Sequence, residues 1–406
     1  MAAERFDLII AGGQVFTPSG LVDCDLGVTE GRIAAIGNLD PGSAASVLEA
    51  RGLTVLPGAI DSQVHFRDPG LTHKEDLESG SRAAVLGGIT AFFEMPNTNP
   101  STLTAGDLAE KLRRAKGRAW CDHAFFMGAA EENVEQLGEL EGLPGCSGVK
   151  VFMGSSTGSL LVDSDALLRR VFAHGRRRVA IHSEDEARLQ ARMGYVRGGA
   201  DVAMHPVWRD EKVALYATRR LLKLARAAGR RVHVLHISTA EELPLLAENR
   251  DLATVEVTPQ HLTLAAPDCY ERLGSLAQMN PPIREARHRE ALWAAVNDGL
   301  VAVIGSDHAP HTAEEKAQDY PASPSGMPGV QTLLPLLLDH MNAGRLTLAR
   351  LVDLTSAGPQ RIYNIAGKGR IARGYDADFS IVDLKARREI TGDWLASKCG
   401  GRPSRA

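Results

Sequence analysis

The stretch GAIDSQVHF, residues 58–66, decides the fold because a short apolar strand pattern ends there in polar residues and a histidine. The same design recurs along the chain, between amphipathic stretches that have helical spacing. The seven further runs are GGITAFFEMPN (87–97), WCDHAFFMGA (120–129), SGVKVFMG (147–154), RVAIHSED (178–185), RVHVLHIST (231–239), TVEVTPQHL (254–262) and LVAVIGSDHAPH (300–311). Alternating strand and helix patterns of this kind predict an α/β fold, a (β/α)8 TIM-like barrel whose apolar strands form a buried parallel sheet.

The two ends of the chain differ from this middle part, residues 57–365. In residues 1–56, apolar and polar residues alternate between turn residues, which predicts short strands of an antiparallel unit. The stretch GRIARGYDADFSIVDL (369–384) alternates in the same way, so we expect one small β-sandwich domain built from both chain ends. Its C-terminal part, residues 366–406, could be incomplete, because the closing stretch SKCGGRPSRA is polar and lacks a strand pattern.

The composition is that of an ordinary globular protein. Of 406 residues, 44% are hydrophobic and 24% are charged, and the net charge of −4 argues against a nucleic-acid partner. Three basic clusters stand out, at residues 111–118, 174–179 and 225–231. Each lies where a predicted helix ends before a strand, so we interpret them as cations that oppose the helix dipole.

The cysteines and the hydropathy pattern predict a cytoplasmic protein. Five cysteines are scattered without a C-x-x-C pair, at positions 24, 121, 146, 269 and 399. This spacing predicts neither a disulfide framework nor a zinc knuckle, and it fits a reducing compartment. The first residues, MAAERFDLII, do not have the form of a signal peptide, and no apolar run reaches transmembrane length.

The polar residues at the strand ends are the candidate functional residues. Because the carboxyl ends of parallel strands meet at one face of a barrel, residues distant in sequence would point into one pocket. A single histidine there is most often a core or surface residue, whereas the joint pattern indicates a metal site. Imidazole and carboxylate ligands suit zinc or a similar divalent ion. In chain order the candidates are His65, Arg67, Asn97, Lys150, His182, His236, His261, Asp307 and His311.

Lys150 is the unusual member of this set. An ammonium group aimed at a metal would be repelled, and its desolvation is unfavourable. Burial lowers the pKa of a lysine, and the free amine can take up CO2 to become an anionic carbamate that bridges two metals. The alternative is a lysine that reaches out to a carboxylate in a loop.

Asp307 is the candidate general base and, in the reverse direction, general acid, because a carboxylate beside a metal can accept and return a proton. The adjacent His308 would point elsewhere, so we interpret it as structural. Arg67 could hold a substrate carboxylate bidentately, or it could pair with Asp68 or Glu75. Three further residues could bind substrate or could cap loops: Asn97, Asn280 and His311.

Nine stretches resemble motifs of the amidohydrolase superfamily and, within it, of the dihydroorotases. They are HFRDPGLTHKED (65–76), GGIT (87–90), EMPNTNP (94–100), KVFMGSSTG (150–158), HSEDE (182–186), LHIST (235–239), NPPIR (280–284), GSDHAPH (305–311) and SPSGMPG (323–329). Their order is the dihydroorotase order, and the resemblance extends from about residue 6 to residue 385. Allantoinases and hydantoinases share the barrel and the bridging lysine but differ at the substrate motifs.

The resemblance implies reversible cyclisation of N-carbamoyl-L-aspartate to L-dihydroorotate in pyrimidine synthesis. It implies one or two zinc ions per chain. His65 and Asp307 would hold the first, His182 and His236 would hold the second, and carboxylated Lys150 would bridge them. We also expect a homo-oligomer that acts on a small molecule and has no membrane partner.

The same resemblance implies a set of substrate-binding residues. The substrate carboxylate would be gripped by Arg67, Asn97 and His311. The ring amide would be met by Asn280 and by the backbone near Ser325 and Gly326.

Gln63 departs from the family pattern, because it stands where a first metal-binding histidine is expected. An amide oxygen is a poorer zinc ligand than imidazole, so the first metal would bind weakly or the site would hold one metal. Two alternatives remain open. One is a non-catalytic dihydroorotase-like scaffold for aspartate carbamoyltransferase, and the other is a cyclic-amide hydrolase of the allantoinase or hydantoinase type.

Overall fold

A computed structural model describes residues 5–156 and 160–400. The end of the KVFMGSSTG stretch, residues 157–158, and the end of the polar tail, residues 401–406, lie outside the described residues. The strands in chain order are β1 (Phe6–Thr17), β2 (Gly20–Thr29), β3 (Arg32–Gly37), β4 (Ala44–Glu49), β5 (Thr54–Pro57), β6 (Ala59–Val64), β7 (Ile89–Glu94), β8 (Asp122–Gly128), β9 (Cys146–Phe152), β10 (Val179–His182), β11 (Val232–Val234), β12 (Ala253–Val257), β13 (Val301–Ile304) and β14 (Phe379–Val382).

Helices connect the central strands, and several of them begin at a side chain that caps the first turn, such as Asp76, Thr104 and Asp210. In chain order they are α1 (Leu77–Leu86), α2 (Ala105–Ala115), α3 (Leu137–Leu140), α4 (Asp165–Ala173), α5 (Glu186–Ala191), α6 (His205–Trp208), α7 (Glu211–Ala228), α8 (Glu242–Ala247), α9 (Pro259–Thr263), α10 (Asp268–Leu273), α11 (Ala286–Asn297), α12 (Ala313–Lys316), α13 (Leu333–Asn342), α14 (Leu348–Val352) and α15 (Gly358–Tyr363).

Strands β6 to β13 form an eight-stranded sheet in which sequence neighbours are hydrogen-bonded neighbours. Every pair along this sheet is parallel. The sheet closes where Val64 pairs with His308, and the His65 amide donates to the His308 carbonyl over 2.7 Å. Each of the eight predicted runs contains one of these strands, so the predicted barrel is confirmed.

The remaining strands form a separate six-stranded sheet from both chain ends, in the order β14-β5-β1-β2-β3 with β4 also on β1. The prediction of an antiparallel unit is wrong in part. Strand β1 is antiparallel to β2, but its first half is parallel to β4 and residues 14–15 are parallel to β5. Alternation along a strand indicates which residues face the core and carries no information on the direction of the partner strand.

The centre of the barrel is filled by apolar residues from alternating strand positions: Phe93, Met95, Phe126, Ala180 and Leu235. Burial of one phenylalanine side chain stabilises a fold by about 1.5–3 kcal/mol. Strand residues whose side chains point away from the barrel interior, such as Val149 and Ile181, pack against the helices. Two buried polar residues within the barrel strands, His233 and Glu256, contact each other over 3.3 Å.

The polar tail docks on the barrel and does not extend the small sheet. The side chain of Gln331 accepts from the Ala396 amide over 2.8 Å and donates to the Trp394 carbonyl over 2.7 Å. The hydroxyl of Ser397 and the amide of Lys398 then donate to the Glu75 carboxylate. The tail thus contacts the loop after β6, which also carries Arg67.

All five cysteines are free thiols. Across residues 5–156 and 160–400, the structure contains no helix with the length and apolar character required to cross a membrane.

Candidate active site

One pocket at the carboxyl ends of the barrel strands brings the predicted site residues together. Eleven of the predicted residues line it: Gln63, His65, Arg67, Asn97, Lys150, His182, His236, Asn280, Asp307, Ser325 and Gly326. Sequence reasoning missed Phe152, Ser156 and Ala309, which complete the lining. His311 lies just behind this lining, with Nε2 3.4 Å from Arg67 Nη2 and 3.1 Å from the Ser325 carbonyl.

Backbone strain is concentrated in this pocket. Arg67, His236 and Asp307 have φ angles of 65°, 40° and 44°, in the left-handed region that residues with a Cβ rarely occupy. Only two other non-glycine residues of the described chain have positive φ, Glu30 and Asn364. Such conformations cost about 1–3 kcal/mol each and are found where function fixes the direction of a side chain.

His182 and His236 present two ring nitrogens to the same point, because His182 Nδ1 lies 3.0 Å from His236 Nε2. The other nitrogen of His182 lies 2.9 Å from Oε2 of Glu184, and Arg209 holds that carboxylate over 2.6 Å. Burial lowers the pKa of both histidines, so both rings are neutral at neutral pH. A carboxylate behind a histidine orients the ring for a metal, and Glu184 takes that position here.

Lys150 ends in the middle of the pocket and is 1% exposed. Its Nζ has no hydrogen-bond partner among the described residues, and it lies 4.2 Å from the centre of the Phe152 ring. The alternative of a contact with a loop carboxylate is therefore wrong for the described part of the chain. Burial lowers the pKa of Lys150 to about 7, so a neutral amine is available for carboxylation.

Gln63, His65 and Asp307 meet on the other side of the pocket. Gln63 Nε2 donates to Asp307 Oδ1 over 3.0 Å, and His65 Nε2 lies 3.3 Å from the same oxygen. His65 Nδ1 lies 2.7 Å from Asn97 Oδ1, which fixes the orientation of the ring. The amide oxygen of Gln63 is buried and has no partner within the described chain. Gln63 therefore both holds the carboxylate and offers an oxygen to the pocket.

Arg67 is a buried cation with unused donors. Its side chain is 1% exposed, and Nε and Nη1 have no partner among the residues that the structure describes. The alternative pairings are wrong: Asp68 binds Arg114 and Arg118, and Glu75 lies 3.2 Å from His308. Burial lowers the pKa of the guanidinium to about 10, so it stays charged at neutral pH. A buried guanidinium with free N–H groups is suited to bind a carboxylate.

His311 lies between Arg67 and a second cation, Lys74, which sequence reasoning missed. Its Nζ lies 3.1 Å from His311 Nδ1 and 3.0 Å from Glu315 Oε1. Burial, together with Arg67 and Lys74, lowers the pKa of His311 well below its usual value. His311 is therefore a neutral hydrogen-bonding group at this end of the pocket.

The loops that carry Asn280 and Gly326 close the pocket. Asn280 Oδ1 lies 3.0 Å from His205 Nε2, and Asn280 Nδ2 donates to Ser156 Oγ over 3.3 Å. Gly326 has a φ of 144°, and a Cβ there would lie 2.3 Å from the Ala309 carbonyl oxygen. Only glycine fits at that position.

Two other histidines are structural. His308 contacts Glu75 and accepts from the amides of Gly329 and Val330, as expected for a structural residue. His261 was expected at a strand end, but it lies within α9 and contacts the Pro281 carbonyl over 3.1 Å. Strand β12 stops earlier because Thr258 caps this helix and a proline occupies its first turn.

The donor set fits a divalent metal ion. Besides the two Arg67 nitrogens, three buried atoms of pocket-lining residues have no hydrogen-bond partner in the described chain: Lys150 Nζ, Gln63 Oε1 and His236 Nδ1. Neutral imidazoles, a carboxylate and an amine that can become a carbamate are the ligand types that zinc accepts. The His182 and His236 side supplies two imidazoles, whereas the other side supplies one imidazole and an amide.

Known proteins resemble this chain over most of its length. Residues 54–404 match the model of the amidohydrolase family. A dihydroorotase from Methanosarcina mazei is 34% identical, over 98% of this chain and 90% of that protein. An allantoinase from Rubrobacter xylanophilus is 37% identical, over 94% of this chain and 86% of that protein. An L-hydantoinase (dihydropyrimidinase) structure from Arthrobacter aurescens has a TM-score of 0.91 at 30% identity, covering 97% of this chain and 90% of that one.

Proposed function

The chain belongs to the amidohydrolase family, and from that membership we propose that it acts as a dihydroorotase, which interconverts N-carbamoyl-L-aspartate and L-dihydroorotate in pyrimidine synthesis. Its relatives support a hydrolase of cyclic amides in general. The observation that carries the narrower proposal is Arg67, a buried cation with two unpartnered nitrogens beside the reacting site. L-Dihydroorotate carries a carboxylate on its ring and open-chain N-carbamoyl-L-aspartate carries the same carboxylate, whereas allantoin and hydantoin carry none.

Zinc would be held by His182 and His236, with a carboxylated Lys150 between them and the opposite group of His65, Gln63 and Asp307. When bound, the metal would polarise the ring carbonyl and lower the pKa of water to about 7. The neutral amine of Lys150 is the form that reacts with CO2.

Residues of the chain itself would transfer the proton and orient the substrate. Asp307 would take the proton released by the attacking water and deliver it to the ring nitrogen as the C–N bond breaks. Gln63 fixes one carboxylate oxygen of Asp307 and leaves the other for this transfer. Arg67 would hold the substrate carboxylate, and the backbone around Ser325 and Gly326, with Asn280, would orient the ring amide.

The test is an assay of the purified, zinc-loaded protein in both directions of the reaction. Arg67→Met should lower kcat/KM for dihydroorotate by about 10- to 100-fold, because a hydrogen bond to a charged group contributes about 1.5–3 kcal/mol. The matched control is Arg113→Met, which removes an exposed arginine paired with Glu110. Absence of turnover in protein with filled metal sites would overturn the proposal.

A second candidate is hydrolysis of an uncharged cyclic ureide such as allantoin or hydantoin. The allantoinase relative at 37% identity and the L-hydantoinase structure favour it. Hydrolysis of an uncharged ureide does not require the positive charge of Arg67, so Arg67→Met should leave that activity unchanged. A higher kcat/KM for allantoin than for dihydroorotate, unchanged in Arg67→Met, would establish this candidate in place of the first.

A non-catalytic scaffold for aspartate carbamoyltransferase is the third reading. The site retains Asp307, three histidines and Lys150, and a scaffold has no need of these. Metal-free protein that co-purifies with a transcarbamoylase and lacks activity would favour the scaffold.

A further inference from the structure

A second cavity opens at the amino-terminal ends of strands β8 to β11, at the opposite mouth of the barrel from the active site. Its volume is about 640 Å³, which lies in the range of small-molecule sites. Two of the basic clusters of the sequence, residues 174–179 and 225–231, contribute to its wall. We call it the basic cavity, and its defining residues are Ser147, Arg176, Arg177, Arg178 and Arg231.

The side chains of the four arginines of the basic cavity form no ion pair with a carboxylate of the described chain, although the backbone amides of Arg176 and Arg177 donate to Glu141. Arginines close to them in sequence do: Arg170 binds Glu131 and Glu135, Arg226 binds Asp251, and Arg230 binds Glu141. A fifth arginine of the wall, Arg361, is likewise paired, with Asp353 over 2.7 Å. Four guanidinium groups without a paired carboxylate around one cavity create a positive potential that favours an anion.

The carboxylate that lines the cavity does not neutralise these arginines. Asp122 contacts Lys368, and the same ammonium lies 3.0 Å from Asp376 and 2.6 Å from Asp378. Each of these carboxylates contacts Lys368, and Asp376 also pairs with Arg32, so the cations that they contact are not the four arginines of the basic cavity.

Two of the arginines are held in place by backbone carbonyls. Arg177 Nη1 donates to the Cys146 carbonyl over 2.6 Å, and Arg178 Nη1 donates to the Val232 carbonyl over 3.0 Å. Arg178 Nε and the Ser147 hydroxyl are buried, and both are without a hydrogen-bond partner in the described part of the chain. Opposition to a helix dipole explains a basic residue after a helix, but it does not explain two buried unsatisfied groups at one cavity.

Part of the wall is apolar, beside the polar side chains of His123, Asn364 and Lys368. Phe93 and Ile365 line the cavity beneath the arginines, together with Ala91 and Ala124. A ligand that matches this wall has a compact anionic end and an apolar or aromatic body. Arginine binds phosphate through parallel N–H groups, which makes a phosphate the anion of choice.

We propose that the basic cavity binds a phosphorylated small molecule of nucleotide size, with its phosphates on Arg178 and Arg231 and its ring toward Phe93. This site is separate from the catalytic pocket and does not depend on the dihydroorotase assignment. An acidic segment of a protein partner is the competing occupant, and the volume of about 640 Å³, typical of small-molecule sites, favours the small molecule.

The test is calorimetric titration of the full chain with ADP, with pyrophosphate and with adenosine. ADP should bind more tightly than pyrophosphate, and adenosine should bind weakly, because the charge and the ring contribute together. Arg231→Gln should weaken ADP binding at least about tenfold, as expected for loss of one charge-assisted contact. Arg226→Gln is the matched control from the same segment and should not change the affinity.

A second variant separates binding from folding. Ser147→Ala removes only a hydroxyl that has no described partner, so it should weaken ADP binding and leave the thermal midpoint unchanged. The proposal is overturned by the absence of binding at millimolar ADP, or by equal affinities in Arg231→Gln and Arg226→Gln. Tight binding of a poly-glutamate peptide with none of ADP would also overturn it and would point to a protein partner.

Discussion

Gln63 Nε2 donates to Oδ1 of Asp307 over 3.0 Å, and this one bond explains how an amide can stand where a metal-binding histidine is expected. The amide nitrogen fixes the carboxylate that we propose for proton transfer, and the amide oxygen remains buried and unpartnered in the described structure. Gln63 therefore holds Asp307 in place and offers the proposed first metal a weaker ligand than histidine would. On the proposed function, the position of Asp307 and the affinity for the first metal can then change independently.

Gln63→His should raise the affinity for the first metal by about tenfold or more, because imidazole is a better zinc ligand than an amide oxygen. The ratio of kcat/KM for dihydroorotate and hydantoin should stay the same, because Gln63 does not contact the carboxylate-binding Arg67. Zinc competition against a chromogenic chelator measures the first quantity. Gln318→His, at an exposed position, is the control, and equal zinc affinity in all three proteins would contradict the prediction.

Lys150 should carry a carbamate when the protein is supplied with bicarbonate and zinc. Incubation with 13C-bicarbonate should give one carbamate carbon signal, and Lys150→Met should abolish both this signal and the activity. Lys316 is the matched control, since burial also lowers its pKa to about 7 but its Nζ donates to the carbonyls of Gln278, Pro324 and Gly326. If the signal remained in Lys150→Met and disappeared in Lys316→Met, the carbamate would be assigned to Lys316 instead of Lys150.

The stability of the metal-free protein should depend on pH through Lys150. Its pKa is about 7 in the folded chain and 10.5 ordinarily, so between these values the unfolded chain binds a proton that the folded chain does not. The free energy of unfolding therefore rises with pH between about 7 and 10.5, by about 1.4 kcal/mol per pH unit. In CO2-free buffer, the wild type should gain about 2–3 kcal/mol more than Lys150→Met between about pH 7 and 9. Urea unfolding at each pH measures this, and parallel profiles would contradict it.

The buried pair of Lys111 and Glu94 should be important for stability. The two charges lie 3.1 Å apart at 1% and 0% exposure, and Lys111 also donates to the Met95 carbonyl near the end of β7. Lys111→Met should lower the free energy of unfolding by about 3–5 kcal/mol, because it leaves an uncompensated buried carboxylate. Denaturant unfolding provides the measurement.

The matched control for that pair is Arg226→Gln, which breaks an exposed ion pair with Asp251 and should change stability by less than about 1 kcal/mol. A second substitution, Glu94→Gln in the Lys111→Met background, should restore part of the loss. A double variant as unstable as the single one would show that the loss comes from packing and not from charge.

The sequence was sufficient for the barrel and for eleven of the residues that line the pocket, because a strand and its polar carboxyl end are local patterns. Each apolar run specifies a strand, and the closed parallel sheet brings the carboxyl ends to one mouth, as Lys150 near the end of β9 and His182 at the end of β10 illustrate. His261 is the exception, although its Thr-Pro start signal for a helix was visible in the sequence.

The supporting groups could not be predicted in the same way. Glu184 and Arg209 orient His182, and Lys74 contacts His311, but these contacts join elements that no short motif connects. The same holds for the direction of the strands beside β1, which is set by the path of the chain between them. Contacts over long sequence separations require the three-dimensional arrangement.

Arg67, His236 and Asp307 share a property that matters to anyone who tries to make this protein more robust. Each keeps a backbone conformation that glycine adopts without strain, so the folded state would gain stability if the side chain were lost. A screen that rewards heat resistance alone would therefore favour glycine at these three positions, and it would do so by deleting the groups proposed to bind substrate, metal and proton. Selection for thermostable variants of this protein should therefore measure catalytic activity as well as resistance to heat.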